Sequence, residues 1–167
     1  MHHVEHTVTV TAPIRVVWDV LQEVRGYDRI FDSLHAVEVL ESSDTHQLVR
    51  LTVEVNTGVV HTWVTRRDID GDAHTIAFQQ VEDLAPLVSH MGGEWRAFAV
   101  GTDRTQLVLT QDYAAREPVN GMVAGRFTPA DTEKVLHGVA QRNGMNDLKS
   151  VKAEAESRIA ADPGRIS

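Results

Sequence analysis

The first 31 residues predict one strand followed by two short helices. Apolar and polar residues alternate over 4–10, as in a strand with one buried face. Pro13 suits the first turn of a helix, and apolar residues at helical spacing predict an amphipathic helix over 14–24. Gly26 ends this helix, and residues 27–31 predict a second short helix or a turn. The side chains expected on one face of the strand are Val4, His6, Val8 and Val10.

The alternating pattern returns near Val37 and continues to about Tyr113, which predicts about six further strands. Turn-forming residues separate some of them, at Asn56-Thr57-Gly58 and at Asp70-Gly71-Asp72. Links this short favour antiparallel neighbours. The clearest segments of the pattern are 49–55, 59–67, 75–81, 91–100 and 105–113.

Residues 114–128 predict a loop, and a long helix follows from Pro129 to about Ile159. Thr128 is a suitable N-cap for this helix. An antiparallel sheet needs a cover on one face, and this helix is the only predicted element long enough. The expected fold class is therefore α+β: a curved antiparallel sheet of about seven strands around a long C-terminal helix, with two short helices after the first strand.

Composition narrows the classes of function. The 167 residues, 42% hydrophobic and 24% charged, fit one globular domain, expected over 1–160 with a frayed tail at 161–167. A net charge of −8 argues against a nucleic-acid partner, and no apolar run reaches the ~20 residues that cross a membrane. We therefore expect a cytoplasmic protein.

Two features of the composition bear on the site. The absence of cysteine excludes disulfides and thiolate chemistry. An aromatic content of 5% favours an internal pocket under the helix.

Two polar residues of the last helix fall on the face that should be buried. Leu136, Asn143 and Asp147 lie within roughly 40° of one another on a helical projection. A buried carboxylate needs hydrogen bonds, water or a cation. Either Asn143 and Asp147 line a wet pocket, or the helix is slightly rotated and Asp147 faces solvent.

Two polar residues of the predicted sheet are also expected to point inward. Arg67 shares a strand face with Trp63, and a guanidinium there could polarise a carbonyl and stabilise an enolate. The alternative is a structural ion pair with Asp147 or another acid. Gln111 could orient a carbonyl or a water molecule, or it is a satisfied core amide.

Aromatic residues supply candidate walls for the pocket. Trp63 and Trp95 are either walls or core. The three histidines near the N-terminus are not expected to bind metal, because alternation places His3 and His6 on opposite faces. The aromatic residues expected to form the pocket walls are Tyr27, Phe31, Trp63 and Trp95.

Several segments in order along the chain resemble the monodomain aromatase/cyclases of bacterial type II polyketide pathways, a branch of the Bet v 1-like, START-related helix-grip superfamily. This resemblance implies the helix-grip fold and a pocket for a poly-β-ketone. It also implies an acyl carrier protein that delivers the chain, and other polyketide synthase components as partners. The matching segments are HTVTVTAPIRVVWDVL at 6–21, GYDRIF at 26–31, HTWVTRRD at 61–68, VEDLAPLVSHMGGEW at 81–95, LTQDY at 109–113 and RNGMNDL at 142–148.

The resemblance also implies roles for individual residues. Arg67 matches an arginine that orients and polarises the bound chain. Asp147 matches a helix aspartate that one subgroup pairs with a histidine as an acid/base dyad. Gln111 stands in the place of that histidine, as it does in tetracenomycin-like and spore-pigment-like members. Leu34 occupies the place of a pocket tyrosine found in the tetracenomycin-like members, so the sequence mixes two subgroup signatures.

The function expected from residues and resemblance together is aldol closure of the first ring, followed by dehydration. Arg67 would stabilise the enolate, and Asp147 would move protons, through a water molecule held by Gln111 and Asn143. No metal or organic cofactor is expected. One rival is a non-catalytic protein that binds lipids or quinones. The other is a chaperone-like cyclase that only shapes the chain.

Overall fold

The computed structural model describes residues 1–56 and 58–161 and contains, in that part of the chain, seven strands and three α-helices. The predicted turn at 56–58 includes residue 57, and the predicted tail includes 162–167; these positions lie outside the described residues. In chain order the elements are β1 (His2–Val10), α1 (Ile14–Gln22), α2 (Tyr27–Ile30), β2 (Leu34–Ser42), β3 (His46–Asn56), β4 (Val59–Asp70), β5 (Thr75–Glu82), β6 (Val88–Ala99), β7 (Thr105–Ala115) and α3 (Pro129–Ala161).

The seven strands form one antiparallel sheet in the order β1-β7-β6-β5-β4-β3-β2. The sheet curves but does not close, so β1 and β2 are its edges. Helix α3 packs against β1 and β7 and against α1 and α2. The α+β helix-grip architecture expected from the sequence is therefore confirmed.

Two local predictions are also confirmed by hydrogen bonds. The hydroxyl of Thr128 accepts from the backbone N–H of Asp131 at 3.2 Å, which caps the start of α3. The carboxylate of Asp70 accepts from the backbone N–H groups of Asp72 and Ala73, which closes the β4–β5 turn. The helix expected over 14–24 is shorter, because α1 ends at Gln22 and a separate 3₁₀ turn follows.

A row of cross-strand neighbours runs over the concave face of the sheet. Gln111 on β7 is opposite Gly93 on β6, which is opposite Phe78 on β5, which is opposite Arg67 on β4. Three strand spacings of about 4.8 Å separate the two ends, so the row is about 14 Å long. It joins two of the polar residues predicted to point inward.

Gly93 is required at its place in this row. A Cβ atom there would lie 2.0 Å from the backbone oxygen of Thr110 and 2.8 Å from the ring of Phe78. The glycine therefore lets β6 and β7 approach closely and leaves the space above it to the Phe78 ring.

We expect Gly93→Ala to destabilise the protein by about 3 kcal/mol or more, because a backbone oxygen cannot move away without breaking the β6–β7 ladder. Gly71→Ala is the matched control, since a Cβ there meets no atom within 4 Å. It should change stability by less than about 1 kcal/mol. Urea unfolding followed by circular dichroism measures both, and equal stabilities for the two variants would contradict the steric argument.

Candidate functional site

Arg67 is buried, with only 4% of its surface exposed, and it joins the sheet to the first two helices. Its terminal nitrogens donate to Gln47 on β3 at 2.8 Å and to the backbone carbonyl of Leu21 in α1 at 2.6 Å. A further bond of 2.9 Å reaches the hydroxyl of Tyr27 in α2. We call this arrangement of Arg67, Gln47, Leu21 and Tyr27 the arginine clamp.

The arginine clamp places two aromatic rings. Arg67 lies 5.0 Å from the centroid of the Tyr27 ring, a cation–π distance. Tyr27 also donates from its hydroxyl to the Leu21 carbonyl. The ring of Phe31 meets that of Tyr27 edge to face, with centroids 5.0 Å apart. Both predicted aromatic residues are therefore buried, Tyr27 against the guanidinium and Phe31 against Tyr27.

The charge of Arg67 has neutral partners. Its three hydrogen-bond acceptors in the clamp are an amide, a backbone carbonyl and a phenol, and the described residues form no ion pair with it. The structural ion pair considered from the sequence is thus not found in that part of the chain. A buried positive charge with neutral acceptors can stabilise negative charge that develops nearby.

Asp147 is a second charged group that acts on Tyr27. It is half-buried on α3, and burial raises its pKa from the ordinary 3.8 to about 7. Burial also raises the pKa of Tyr27; Arg67 lowers it and Asp147 raises it further, so both charges act on the phenol. Arg67, Tyr27 and Asp147 therefore form one electrostatic unit.

Asp147 borders a cavity of about 430 Å³ between α3 and the segment that joins α2 to β2. Phe31 forms part of its wall, and exposed residues such as Lys149 stand at its rim. Arg67, Gln111 and the two tryptophans do not line this cavity. The other lining residues are Asp32, Ser33, Asn143, Asn146, Ser150 and Ala153.

The prediction that Asn143 is buried is wrong, because its side chain is exposed at the cavity rim. The face of α3 that meets the sheet runs instead through Ala140, Gly144 and Leu148. Glycine has no side chain and leaves no mark in a hydrophobic pattern, so the projection assigned its neighbour Asn143 to the inner face.

Gln111 is buried on the inner face of β7, as predicted, but its side-chain oxygen has no protein partner among the described residues. The two roles considered from the sequence, an amide that orients a carbonyl or water and a satisfied core amide, stay predictions. Beside it lies His6 of β1, whose Nε2 is also buried and lacks a partner in that part of the chain. Both side chains pack against Gly144.

His6 was missed as a candidate although the pattern contained the signal. Alternation placed it on the same face as Val8 and Val10, which are half-buried and buried. A histidine on an otherwise apolar face is the kind of inward polar group that identified Arg67 and Gln111. Because His6 is one of three histidines near the N-terminus, it was considered only as a possible metal ligand and not as an inward polar residue.

The two tryptophans, Trp63 and Trp95, have different environments in the structure. Trp95 is buried and belongs to the main hydrophobic core, together with Ile76 and Leu109, its neighbours on β5 and β7. Trp63 is half-buried on β4, opposite Leu51. Phe78, which the sequence did not single out, stands between Arg67 and Gln111 in the row across the sheet.

The described residues 1–56 and 58–161 bring no three histidine, aspartate or glutamate side chains together as metal ligands. His3 instead pairs with Asp112 at 2.5 Å on the outer face. None of the helices in the described ranges has the length and apolar character needed to cross a bilayer.

Comparison with known proteins identifies relatives of the whole domain. The family model described as "Polyketide cyclase / dehydrase and lipid transport" matches residues 1–156. The crystal structure of the Zhui aromatase/cyclase from Streptomyces sp. R1128 is 48% identical and covers 95% of each chain, with a TM-score of 0.90.

Two curated relatives are longer than this chain. The actinorhodin polyketide synthase bifunctional cyclase/dehydratase of Streptomyces coelicolor is 35% identical over 114 residues, which are 68% of this chain and 35% of that protein. The granaticin polyketide synthase bifunctional cyclase/dehydratase of Streptomyces violaceoruber is 27% identical over 166 residues, 97% of this chain and 46% of that protein. The chain thus spans less than half the length of either relative.

We expect Arg67→Lys to destabilise the protein by about 2–3 kcal/mol, because a lysine cannot reproduce the forked bonds to Leu21 and Tyr27. Arg66→Lys is the matched control, since the neighbouring Arg66 is exposed and contacts Asp68. It should stay within about 0.5 kcal/mol of wild type in chemical unfolding. A loss of the same size in both variants would show that the arginine clamp adds no specific stability.

The raised pKa of Asp147 predicts how stability depends on pH. Between 3.8 and about 7 the folded protein holds a proton that the unfolded chain releases, so stability falls as the pH rises through this range. Asp147→Asn removes this loss. Its stability relative to wild type should therefore increase with pH up to about 8, by at most about 4 kcal/mol and by less where water screens the half-buried group.

Thermal unfolding of both proteins between pH 4 and 8 measures this difference. Asp131→Asn, an exposed aspartate at the start of the same helix, is the control and should show no such trend. Parallel pH curves for wild type and Asp147→Asn would mean that the carboxyl titrates normally.

Proposed function

Because the chain belongs to the polyketide cyclase/dehydrase and lipid transport family, we propose that it is an aromatase/cyclase. Its substrate is a poly-β-ketone, in which it closes the first ring by an aldol reaction and then removes water to give an aromatic ring. The 48% identity to an aromatase/cyclase over 95% of both chains supports this activity over lipid transport.

One observation carries the chemical proposal. A buried guanidinium with neutral acceptors and a carboxyl with a pKa of about 7 both act on Tyr27, and the carboxyl lines a cavity. A group with a pKa near the working pH can both take up and return a proton. The positive charge of Arg67 lowers the cost of an enolate that forms within reach of its field.

Ring closure begins with the loss of a proton from a methylene between two ketones. In the proposed mechanism the Asp147 carboxylate takes this proton, and the charge of Arg67 stabilises the enolate. The enolate carbon then attacks a second ketone of the same chain, whose oxygen takes the proton back from Asp147 and becomes a hydroxyl. Arg67 acts here through its field, because three of its five N–H donors are bound to Leu21, Gln47 and Tyr27 and it does not line the cavity.

We propose that positioning of the chain in this cavity supplies much of the catalysis. A volume of about 430 Å³ falls within the about 300–1,000 Å³ usual for small-molecule sites. Holding two segments of one chain in reactive geometry can contribute ~7–11 kcal/mol in the best intramolecular cases. Phe31 is the proposed wall that bends the chain, and Asn143 and Trp63 are proposed to contact it further out.

We propose that other polyketide synthase components and their acyl carrier protein are the partners, and that the reaction takes place in the cytoplasm. The exposed rim of the cavity lets a chain enter while its other end stays attached to a carrier. Lys149 at this rim supplies a positive charge that suits an acidic partner.

A protein that instead carried lipids or quinones would retain one of these molecules through purification. Mass spectrometry of the native protein would detect it.

We expect Asp147→Asn to lower the rate of first-ring formation by about 100-fold or more in a reconstituted minimal synthase, because the amide cannot exchange a proton. The wild-type rate should change most steeply with pH near 7, and this inflection should be absent from the variant. Asp131→Asn is the control for the loss of a helix carboxylate and should match wild type. Equal product yields from Asp147→Asn and wild type would exclude Asp147 as the proton carrier.

A further inference from the structure

Two buried polar atoms in the helix–sheet contact have no protein partner. In the part of the chain that the structure describes, they are Nε2 of His6 and Oε1 of Gln111. A buried polar group without a hydrogen bond destabilises the fold, so each of these atoms calls for a function or a bound group. The mechanism above uses neither atom.

The two atoms meet at one point of α3. A methyl group at Gly144 would lie 2.8 Å from Oε1 of Gln111 and 2.9 Å from Nε2 of His6. They are therefore no more than about two hydrogen-bond lengths apart, a gap that one bridging oxygen atom can span. On the strands, His6 pairs with Leu109 and so stands diagonally across from Gln111.

This point is close to the cavity along α3. Asn143 is the residue before Gly144 and Asp147 is three residues after it, and both line the cavity, whereas His6 and Gln111 do not. The buried residues of α3 at this level, Ala140 and Gly144, are small. Access of a bound chain to both polar atoms requires an outward shift of α3 at Gly144.

The hydrogen-bonding capacities of Gln111 and His6 determine which chemical group can bind between them. Oε1 of Gln111 can only accept a hydrogen bond, whereas a protonated Nε2 of His6 donates one. An oxygen atom that satisfies both must accept one hydrogen bond and donate another. A ketone cannot do this, and a hydroxyl can.

We propose that His6, with Gln111, holds the hydroxyl formed by ring closure and acts as the general acid for its loss as water. This inference rests on the proposed function and adds a catalytic residue to it. Loss of water breaks the C–O bond of the ring carbon and a C–H bond of its neighbour, and forms the C=C bond between them.

In this step His6 acts as the imidazolium. Its Nε2 gives a proton to the departing oxygen, which leaves as water, and His6 becomes neutral. The carbon-bound proton passes to the Asp147 carboxylate, and Asp147 then returns a proton to His6 through solvent. Gln111 accepts the hydrogen bond of the hydroxyl and so keeps the oxygen aimed at His6.

The test is a product ratio in a reconstituted minimal synthase. His6→Gln keeps a polar side chain that cannot transfer a proton. It should raise the ratio of the hydrated first-ring product to the aromatic product by at least about tenfold, with the total of ring-closed products unchanged within about threefold. His3→Gln is the matched control, because His3 is on the same strand, exposed and on the outer face; it should give the wild-type ratio.

Gly144→Ala tests the role of His6 and Gln111 by a change on α3, the helix that packs on both side chains. Its methyl group would lie 2.4 Å from Cδ2 of His6, so the His6 and Gln111 side chains must move away from it. Gly144→Ala protein that is folded by circular dichroism should again accumulate the hydrated product. This variant decides the question if His6→Gln fails to fold. A wild-type ratio in a folded variant would overturn the role of His6 and leave a structural water as the partner of the two atoms. No ring-closed product from the wild-type protein would instead overturn the proposed function itself.

Discussion

The position of the cavity depends on one buried cation. Arg67 is fixed by β4, and its bonds to Leu21 and Tyr27 hold the corner between α1 and α2 against the sheet. Phe31 forms the cavity wall because it packs on Tyr27. A guanidinium suits this task, since its fork satisfies several acceptors at once and stays charged at all working pH values.

The same arrangement separates two kinds of electrostatic environment. Near Arg67, positive charge is kept without an acid partner in the described residues, which favours an anionic intermediate. On α3, burial favours the neutral form of Asp147. Both groups act on the phenol of Tyr27. Both environments are needed by a reaction that creates a negative charge and then returns protons.

Hydrophobic periodicity was sufficient for the fold and for part of the site. Alternation located the strands and placed Arg67 and Gln111 inward, because a strand has only two faces. Helix α3 was harder, since its contact with the sheet passes through Gly144. The hydrogen-bond partners of Arg67 lie 20 to 46 residues away in sequence, so no local pattern could identify them. His6 and Gln111 meet only through strand pairing and the packing of α3.

The pairing of the first strand with the last has a consequence for how the molecule forms. His2 of β1 lies opposite Tyr113 of β7, so this contact closes a loop of more than one hundred residues. Contacts between such distant segments form late, because the entropy of closing the loop must be lost first. The newly made N-terminal strand must therefore wait for β7, and a chain that has not completed its sheet cannot bring His6 to Gln111.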